Sequence, residues 1–397
     1  MKVLFITPYL PSETSGHAGA QLIFRNVTSL TKQHDVTIAS FLNKDEKEMI
    51  LSLTDIGINV HTIDYPRNES SIKGKIESGI RNMGPIASYL KGNEPFFFAK
   101  YNKKKMAKLI KNLITQNSFD LVQLEYNVMH HYRNLFQEIP SIIVFHDVST
   151  KMYERGQTAG EKSNERSYKL AQKVEAEITN KFNGVVTLTA EDKSYLQKLG
   201  CEKNIEVIPP QIKLATSGSS EKKSGSICFI GSFNREPNVL AVEILMNQIY
   251  PQLNLDISLT IAGKGLPKSL QSKINQLDRI QYLGFVEDID AFLSSQLLMV
   301  APIEIGAGLK MKIPHALSCG TAVLTTDVGA EGIEIHPSEG MVVSSIESMA
   351  DKAKELMLDE INLSSLGTKG KKAVESLYSE SVIISKLEAL YNSVKLA

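Results

Sequence analysis

Tryptophan is absent from this 397-residue chain, and cysteine occurs three times, at Cys201, Cys228 and Cys319. Three cysteines at that spacing make neither a zinc motif nor a disulfide framework, which points to a reducing compartment. Net charge is missing as well: 44 Lys plus Arg balance 44 Asp plus Glu. Without an overall positive field, long-range attraction for nucleic acid has no source. No apolar run approaches the ~18 residues of a spanning helix. Met1 leads directly into Val3-Leu4-Phe5-Ile6, with no signal-peptide pattern. The expectation is a cytoplasmic protein that neither crosses a membrane nor binds nucleic acid.

What is present is 42% apolar and 22% charged, enough to bury cores in two or three domains. The charge balance hides an asymmetry: residues 225–397 hold 14 basic and 20 acidic side chains, so the first 224 are correspondingly basic. At the change lie Pro209-Pro210 and the polar stretch Ala215-Thr216-Ser217-Gly218-Ser219-Ser220-Glu221-Lys222-Lys223-Ser224-Gly225. This composition predicts a linker over 211–225, between domains at 1–210 and 226–378. A helix over 379–397 is expected to pack back on the N-terminal domain.

In both halves short Val/Ile-rich runs alternate with amphipathic ones. Strands are predicted at Lys2–Thr7, Asp35–Ser40, Asn59–Ile63, Leu121–Leu124, Ser141–Phe145, Gly184–Leu188 and Ile205–Ile208. The second half repeats the scheme, with strands at Ser226–Ile230, Ser258–Ala262, Ile280–Leu283, Leu297–Ala301, Ala322–Thr325 and Met341–Val343. Helical periodicity marks Ala20–Gln33, Ser163–Asn180, Asn238–Tyr250 and Ile346–Leu358 among others. Strands separated by helices imply α/β domains with parallel sheets, whose ligands bind at the carboxyl ends of the strands.

Several strand-to-helix loops are suited to phosphate. Gly231-Ser232-Phe233-Asn234-Arg235 could present backbone amides and a guanidinium to an anion, with Asn238 capping the next helix. Gly263 could allow close backbone approach to a ligand. After the strand ending at Ala301 come Gly306, Gly308 and Lys310, and Pro314 suits a first helical position that would place His315 beside a positive helix end. Thr326 and Glu331 lie in the next loop. As local chemistry, the Gly263 step reads equally as a plain turn, the stretch around Gly306–Lys310 is the sharpest though also open to a tight-turn reading, and a lone Glu331 is more often solvated. Glu287, Asp288 and Asp290 suit a helix start better than a metal cluster.

The ordered succession of these stretches resembles the nucleotide-sugar domain of family 4 glycosyltransferases, which have the GT-B fold. The motifs are Gly231–Asn238, Ile261–Gly265, Gly284–Asp288, Gly306–Lys312, Ala316–Val323 and Val328–Gly332. The first half is similar through Thr7-Pro8-Tyr9-Leu10-Pro11, Phe119–Val122, His146-Asp147, Val185–Thr189 and Val207-Ile208-Pro209. The resemblance covers nearly the whole chain. It implies two Rossmann-like doubly wound domains facing a cleft and retaining, metal-independent transfer. No cofactor is implied beyond a nucleotide-diphosphate sugar as co-substrate.

Carried over residue by residue, the resemblance puts His146 near the sugar, with Asp147 orienting it or touching the acceptor. Lys310 neutralises the leaving diphosphate with the amides of Ser232, Phe233, Gly306 and Gly308, and with Arg235. Gly16 and Gly19, flanking His17, approach donor and acceptor. Gly263, His315, Thr326 and Glu331 complete the donor site. One departure stands out: where the family commonly has two glutamates eight residues apart, this chain has Ala307 and His315. His315 could still hydrogen-bond a ribose.

Across 91–115 there are seven lysines and one glutamate. Phe97, Lys103, Lys104 and Lys105 form an aromatic and basic patch suited to an anionic membrane or a lipid-diphosphate acceptor, or else an ordinary solvated helix face. The expected partners are a nucleotide sugar and a glycan or lipid-linked acceptor, at the inner face of the cell membrane. A GT-B nucleotide-sugar 2-epimerase and a non-catalytic GT-B partner subunit are the alternatives.

Overall fold

The computed structural model describes residues 1–67, 72–158, 164–215, 221–253, 256–306 and 308–396. The chain divides into two units, Met1–Gln211 with Ile383–Ala397, and Ile212–Val382.

The first unit is built on a seven-stranded parallel sheet. Its strands are β1 (Lys2–Thr7), β2 (Asp35–Leu42), β3 (Asn59–Asp64), β4 (Leu121–Glu125), β5 (Ser141–Phe145), β6 (Gly184–Thr187) and β7 (Ile205–Val207). They are ordered β3-β2-β1-β4-β5-β6-β7. The second unit has a six-stranded parallel sheet of β8 (Ser226–Ile230), β9 (Ser258–Ala262), β10 (Ile280–Gly284), β11 (Leu298–Ala301), β12 (Ala322–Thr325) and β13 (Met341–Val343). Its order is β10-β9-β8-β11-β12-β13. Central strands such as β1, β4, β5, β8 and β11 are almost wholly buried, as continuous apolar runs covered by helices on both faces must be. In each sheet the order reverses beside the first strand, between β1 and β4 and between β8 and β11. In a doubly wound sheet that is where loops diverge and a ligand crevice opens.

Some helix starts differ from the sequence expectation. The helix after β11 spans Lys312–Ser318 with Met311 as its N-cap, so Pro314 is its third residue. Proline is tolerated there because first-turn amides lack intrahelical partners. The helix after β8 starts at Glu236 with Arg235 as N-cap. Asn238 is therefore inside it, and its side-chain amide donates back to Ser232 O at 2.7 Å. The segment expected as a linker is partly absorbed into the second unit. Ile212 is buried in that core, with Leu214 and Ala215 packed against it. Lys222 Nζ donates to Gln296 O and Gly320 O, both at 2.8 Å. The stretch 216–220 lies outside the described residues.

The C-terminal helix Glu380–Leu396 carries Ile383, Leu387, Leu390, Tyr391 and Val394 into the core of the first unit. Lys395 there pairs with Asp120 at 2.8 Å. Within the second unit, the helix Glu360–Tyr378 lies against the end of Lys312–Ser318 through glycines. A Cβ on Gly367 would sit 2.2 Å from Gly320 O, and one on Gly340 would sit 2.5 Å from the Gly370 Cα. Backbone cannot give way as a flexible side chain can. Gly367→Ala is therefore expected to lower unfolding free energy by about 1–3 kcal/mol in urea denaturation, despite alanine's better helix propensity.

Candidate active site

In the first unit the site grows from the ends of β1, β4 and β5. Parallel strands bring their carboxyl ends level, with Glu125 opposite Val144 in the β4–β5 register. His146, two residues further on, places its Nε2 2.6 Å from Glu125 Oε2. A carboxylate oxygen accepts, so Nε2 carries the proton, and in the neutral ring Nδ1 holds the lone pair. Glu125 Oε1 accepts from Gln123 Nε2 at 2.6 Å, and Gln123 Oε1 accepts from the Tyr391 hydroxyl at 2.6 Å. The result is a buried chain of hydrogen bonds from the C-terminal helix to the imidazole. The carboxylate bonded to Nε2 is thus Glu125. Asp147 is half-buried, and its charge is felt at the Tyr126 hydroxyl.

Tyr126 lies flat on His146, ring centroids 3.8 Å apart and planes 7° from parallel. Its φ of 71° is the one positive value outside glycine among the described residues. A bulky residue held there is a local strain that its surroundings must maintain. Gly19 makes room for it: a Cβ at that position would fall 1.6 Å from the Tyr126 hydroxyl oxygen and 3.1 Å from His146 Nδ1. Gly16 has open space around it. His17, between them, stacks on Tyr9 at 3.9 Å. Burial drives the Tyr126 hydroxyl well above the ordinary tyrosine range.

Behind the site, Glu175 is wholly buried. It accepts from the Ser149 and Thr150 amides at 2.8 and 3.0 Å and from Asn127 Nδ2 at 2.6 Å. It therefore caps the helix after β5 and ties that helix to the turn after β4.

In the second unit three cations gather at the ends of β8 and β11. Lys310 Nζ donates to Gly308 O at 2.7 Å and Gly306 O at 3.3 Å, and lies 3.4 Å from Glu331 Oε2. Gly306 and Gly308 have φ of 123° and 71°, values that side chains rarely adopt. The glycines thus turn carbonyls onto the lysine, where amides facing an anion were expected. Lys312 Nζ donates to Asn238 Oδ1 and lies 4.6 Å from the Phe229 ring centroid. Burial, then the charges of Arg235 and Lys310, pull its ammonium down to about 7.

Other expected donor residues are already occupied. Phe233 is buried against Phe229 and Tyr282, and its amide donates to Lys264 O at 2.8 Å. Ser232 and Arg235 are exposed. A Cβ on Gly263 would meet Gly231 O at 1.7 Å, so what approaches that glycine is the neighbouring loop. Thr326 Oγ1 accepts from the Gly329 amide at 3.0 Å and donates to Ile303 O. Its hydroxyl is therefore an N-cap. His315 Nε2 bonds Asp290 Oδ1 at 2.7 Å, and its amide bonds Met311 O. That amide is consequently not a free donor at a helix end. Asp288 caps the helix Ile289–Ser294 through Ala291 N. Ala307 lies outside the described residues.

Sequence reasoning missed Glu125, Tyr126 and Lys312. Their available signal was position: Glu125 ends β4, Tyr126 directly follows it, and Lys312 opens the helix two residues beyond Lys310.

Two α/β units of seven and six parallel strands make this a GT-B fold. Residues 224–359 match the family described as glycosyl transferases group 1. Sucrose-phosphate synthase from Thermosynechococcus elongatus is similar over 99% of both chains, at 15% identity and a TM-score of 0.72. Anabaena HepE in complex with UDP and glucose is similar over 99% of this chain and 100% of its own, at 14% and 0.66. A mutant of S. aureus TarM in complex with Fondaparinux, alpha-GlcNAc-glycerol and UDP gives 14% and 0.62 over 99% and 100%. At such identities the likeness is one of fold. An uncharacterized 44.6 kDa protein in the cps region of Klebsiella pneumoniae is 25% identical over 138 residues, 32% of this chain and 35% of the relative.

Binding of an anion beside the lowered Lys312 ammonium would be proton-linked. An anion beside it favours the charged form and raises its pKa. Below about 7 the lysine is already charged, and its contribution to anion affinity is flat with pH. Above that value binding must take up a proton, so affinity should fall as pH rises toward the bound-state pKa. Isothermal titration with a nucleoside diphosphate at several pH values, in buffers of different ionisation heat, should show this uptake, and Lys312→Met should remove it.

Proposed function

We propose that the chain is a retaining GT-B glycosyltransferase. It moves a sugar from a nucleotide diphosphate to a glycan or lipid-linked acceptor in surface-polysaccharide or glycoconjugate synthesis. The observation that carries this reading is the grouping of Arg235, Lys310 and Lys312 at the switch point of a parallel sheet. The perturbed Lys312 indicates positive charge held in a desolvated place, where it interacts strongly with an added anion. In the reaction, charge develops on the leaving diphosphate as the glycosidic bond breaks. Fixed cations at that spot stabilise it without reorganisation and supply what a divalent ion would otherwise provide.

His146 offers the Nδ1 lone pair on the side where Gly19 lacks a side chain, suited to accepting from a sugar hydroxyl. Glu125 fixes that tautomer and supports an imidazolium if a proton is gained. Glu331, beside Lys310, is the residue suited to donor hydroxyls. UDP named with two of the similar structures supports uridine diphosphate as the first nucleotide to test. The cps-region relative is consistent with a polysaccharide setting.

The decisive measurement is thermal unfolding with UDP, GDP, ADP and CMP, followed by transfer assays with the matching sugar nucleotides. One diphosphate should stabilise the protein, and Lys310→Ala should abolish that shift. Sugar release should require an acceptor. Turnover to an epimer without acceptor would overturn the transferase reading, and nucleotide binding without any turnover would indicate a non-catalytic subunit.

The acceptor side extends to a membrane surface in this reading. Lys104 and Lys105 are exposed in the first turn of the helix Lys104–Gln116, which has no acidic residue there to suit the dipole. Lys103 is held inward, its Nζ donating to Arg81 O at 3.3 Å. That bond sets the basic segment beside the helix Ile72–Leu90, where Ile80, Met83, Ile86 and Leu90 form a stripe 45–66% exposed. Phe97 is 37% exposed and edge-on to Tyr101. Co-sedimentation with phosphatidylglycerol vesicles should exceed that with phosphatidylcholine and weaken with salt. Met83→Glu with Leu90→Glu should reduce it at least several-fold; binding unchanged by those substitutions would remove the membrane contact.

A further inference from the structure

A second group of titratable side chains lies in the first unit, among residues the transferase reading does not use. Glu94 sits in the turn before the short helix Phe96–Ala99, and His130 and His131 are adjacent on the 3-10 helix Asn127–Leu135. His131 Nε2 is 2.6 Å from Glu94 Oε2, and His130 Nε2 is 3.8 Å from the same oxygen. All three ligand atoms lie within 4.8 Å of one another. The side chains of Glu94, His130 and His131 are only 12%, 14% and 9% exposed. We propose that Glu94, His130 and His131 form a structural binding site for one divalent transition-metal ion of the zinc type.

Four features suit the cluster to a metal ion. His131 Nδ1 contacts Val128 O at 3.2 Å and so carries a proton. Nε2 then faces a carboxylate oxygen, with room for a metal ion or a second proton between the two atoms. The same backbone contact is the usual outer-shell device that orients a metal-bound imidazole. Ser88 Oγ donates to Glu94 Oε1 at 3.2 Å, which steadies the carboxylate and leaves Oε2 for the ion.

Third, His130 Nε2 is buried with no hydrogen-bond partner among the described residues. Fourth, the distances suit a small ion. Ligand bonds of ~2.1 Å in a tetrahedron place ligand atoms ~3.4 Å apart. The observed 2.6 and 3.8 Å bracket that value, so shifts below ~1 Å complete the site.

A pocket of about 170 Å³ lined by Asn93, Glu94, His130, His131, Glu177 and Lys181 adjoins the cluster. It leaves the fourth position to water. Two imidazoles and one carboxylate are a borderline donor set, which favours zinc over magnesium or calcium. The ion would fasten the turn at Glu94 to the helix that begins directly after the strained Tyr126. The inference is independent of which reaction the protein catalyses.

The test uses the full chain, stripped with EDTA and desalted, then titrated with Zn²⁺ while bound metal and thermal midpoint are read. One equivalent should bind tightly and raise the midpoint. Glu94→Gln and His131→Ala should each weaken binding at least tenfold, while His61→Ala, at an exposed histidine elsewhere, should not. Zinc binding by Glu94→Gln equal to that of the parent would overturn the proposal. If the variants fail to fold, Co²⁺ added to the parent protein decides. Intense visible absorption of tetrahedral cobalt supports the site, and only the weak bands of aqueous cobalt refute it.

Discussion

Positive charge kept out of water governs the second unit. Lys312 is half-buried with two other cations near it, and its ammonium is pulled down to about 7. In isolation such a group costs stability, because the unfolded chain binds its proton more tightly. That deficit is fully present below about 7 and shrinks as pH rises toward the ordinary lysine value. The fold tolerates it through local partners: Asn238 Oδ1 and the face of Phe229 for Lys312, and Glu331 with two glycine carbonyls for Lys310. These partners are dipoles, a ring and one shared carboxylate. Against such partners an added anion such as a diphosphate would bring further negative charge.

The first unit solves a different problem. In the proposed reaction one imidazole acts in one tautomer, and the surrounding residues fix its orientation. Glu125 fixes the proton on Nε2, Gln123 fixes Glu125, and Tyr391 fixes Gln123. Tyr126 covers the ring in a backbone conformation that tyrosine adopts only under constraint, and Gly19 is small because the tyrosine hydroxyl occupies the space. Glu175 holds the following helix from beneath. Removing any one support changes the aim of the next, which is how a residue on the last helix of the chain bears on a histidine at the end of β5.

The two-sheet architecture was legible because buried parallel strands are short, apolar and separated by helices. Lys2–Thr7, Ser141–Phe145, Ser226–Ile230, Ser258–Ala262, Ala322–Thr325 and Met341–Val343 coincide with observed strands to the residue. Loop chemistry was harder to read. Glycines at 306, 308 and 263 announce tight backbone, but spacing does not tell whether carbonyls or amides face inward, or whether a ligand or another loop fills the room. Asn238 and Thr326 illustrate a second limit. A polar side chain near a strand end can cap, brace or bind, and tertiary neighbours decide which. Glu125 was overlooked because a carboxylate at a strand end gains its meaning from the imidazole on the adjacent strand, 21 residues away in sequence.

Net charge also misleads about the sign of a site. Residues 225–397 carry an excess of six acidic side chains, yet the loops ending β8 and β11 gather Arg235, Lys310 and Lys312. Most of the acidic excess stands in solvent, where charge is screened within about 8–10 Å at physiological salt. A buried lysine interacts through a lower effective dielectric and weighs several-fold more per charge. An acidic domain can therefore present a locally positive site. For an anionic ligand the approach is then governed by local field, and the surrounding negative surface acts against indiscriminate capture of other polyanions.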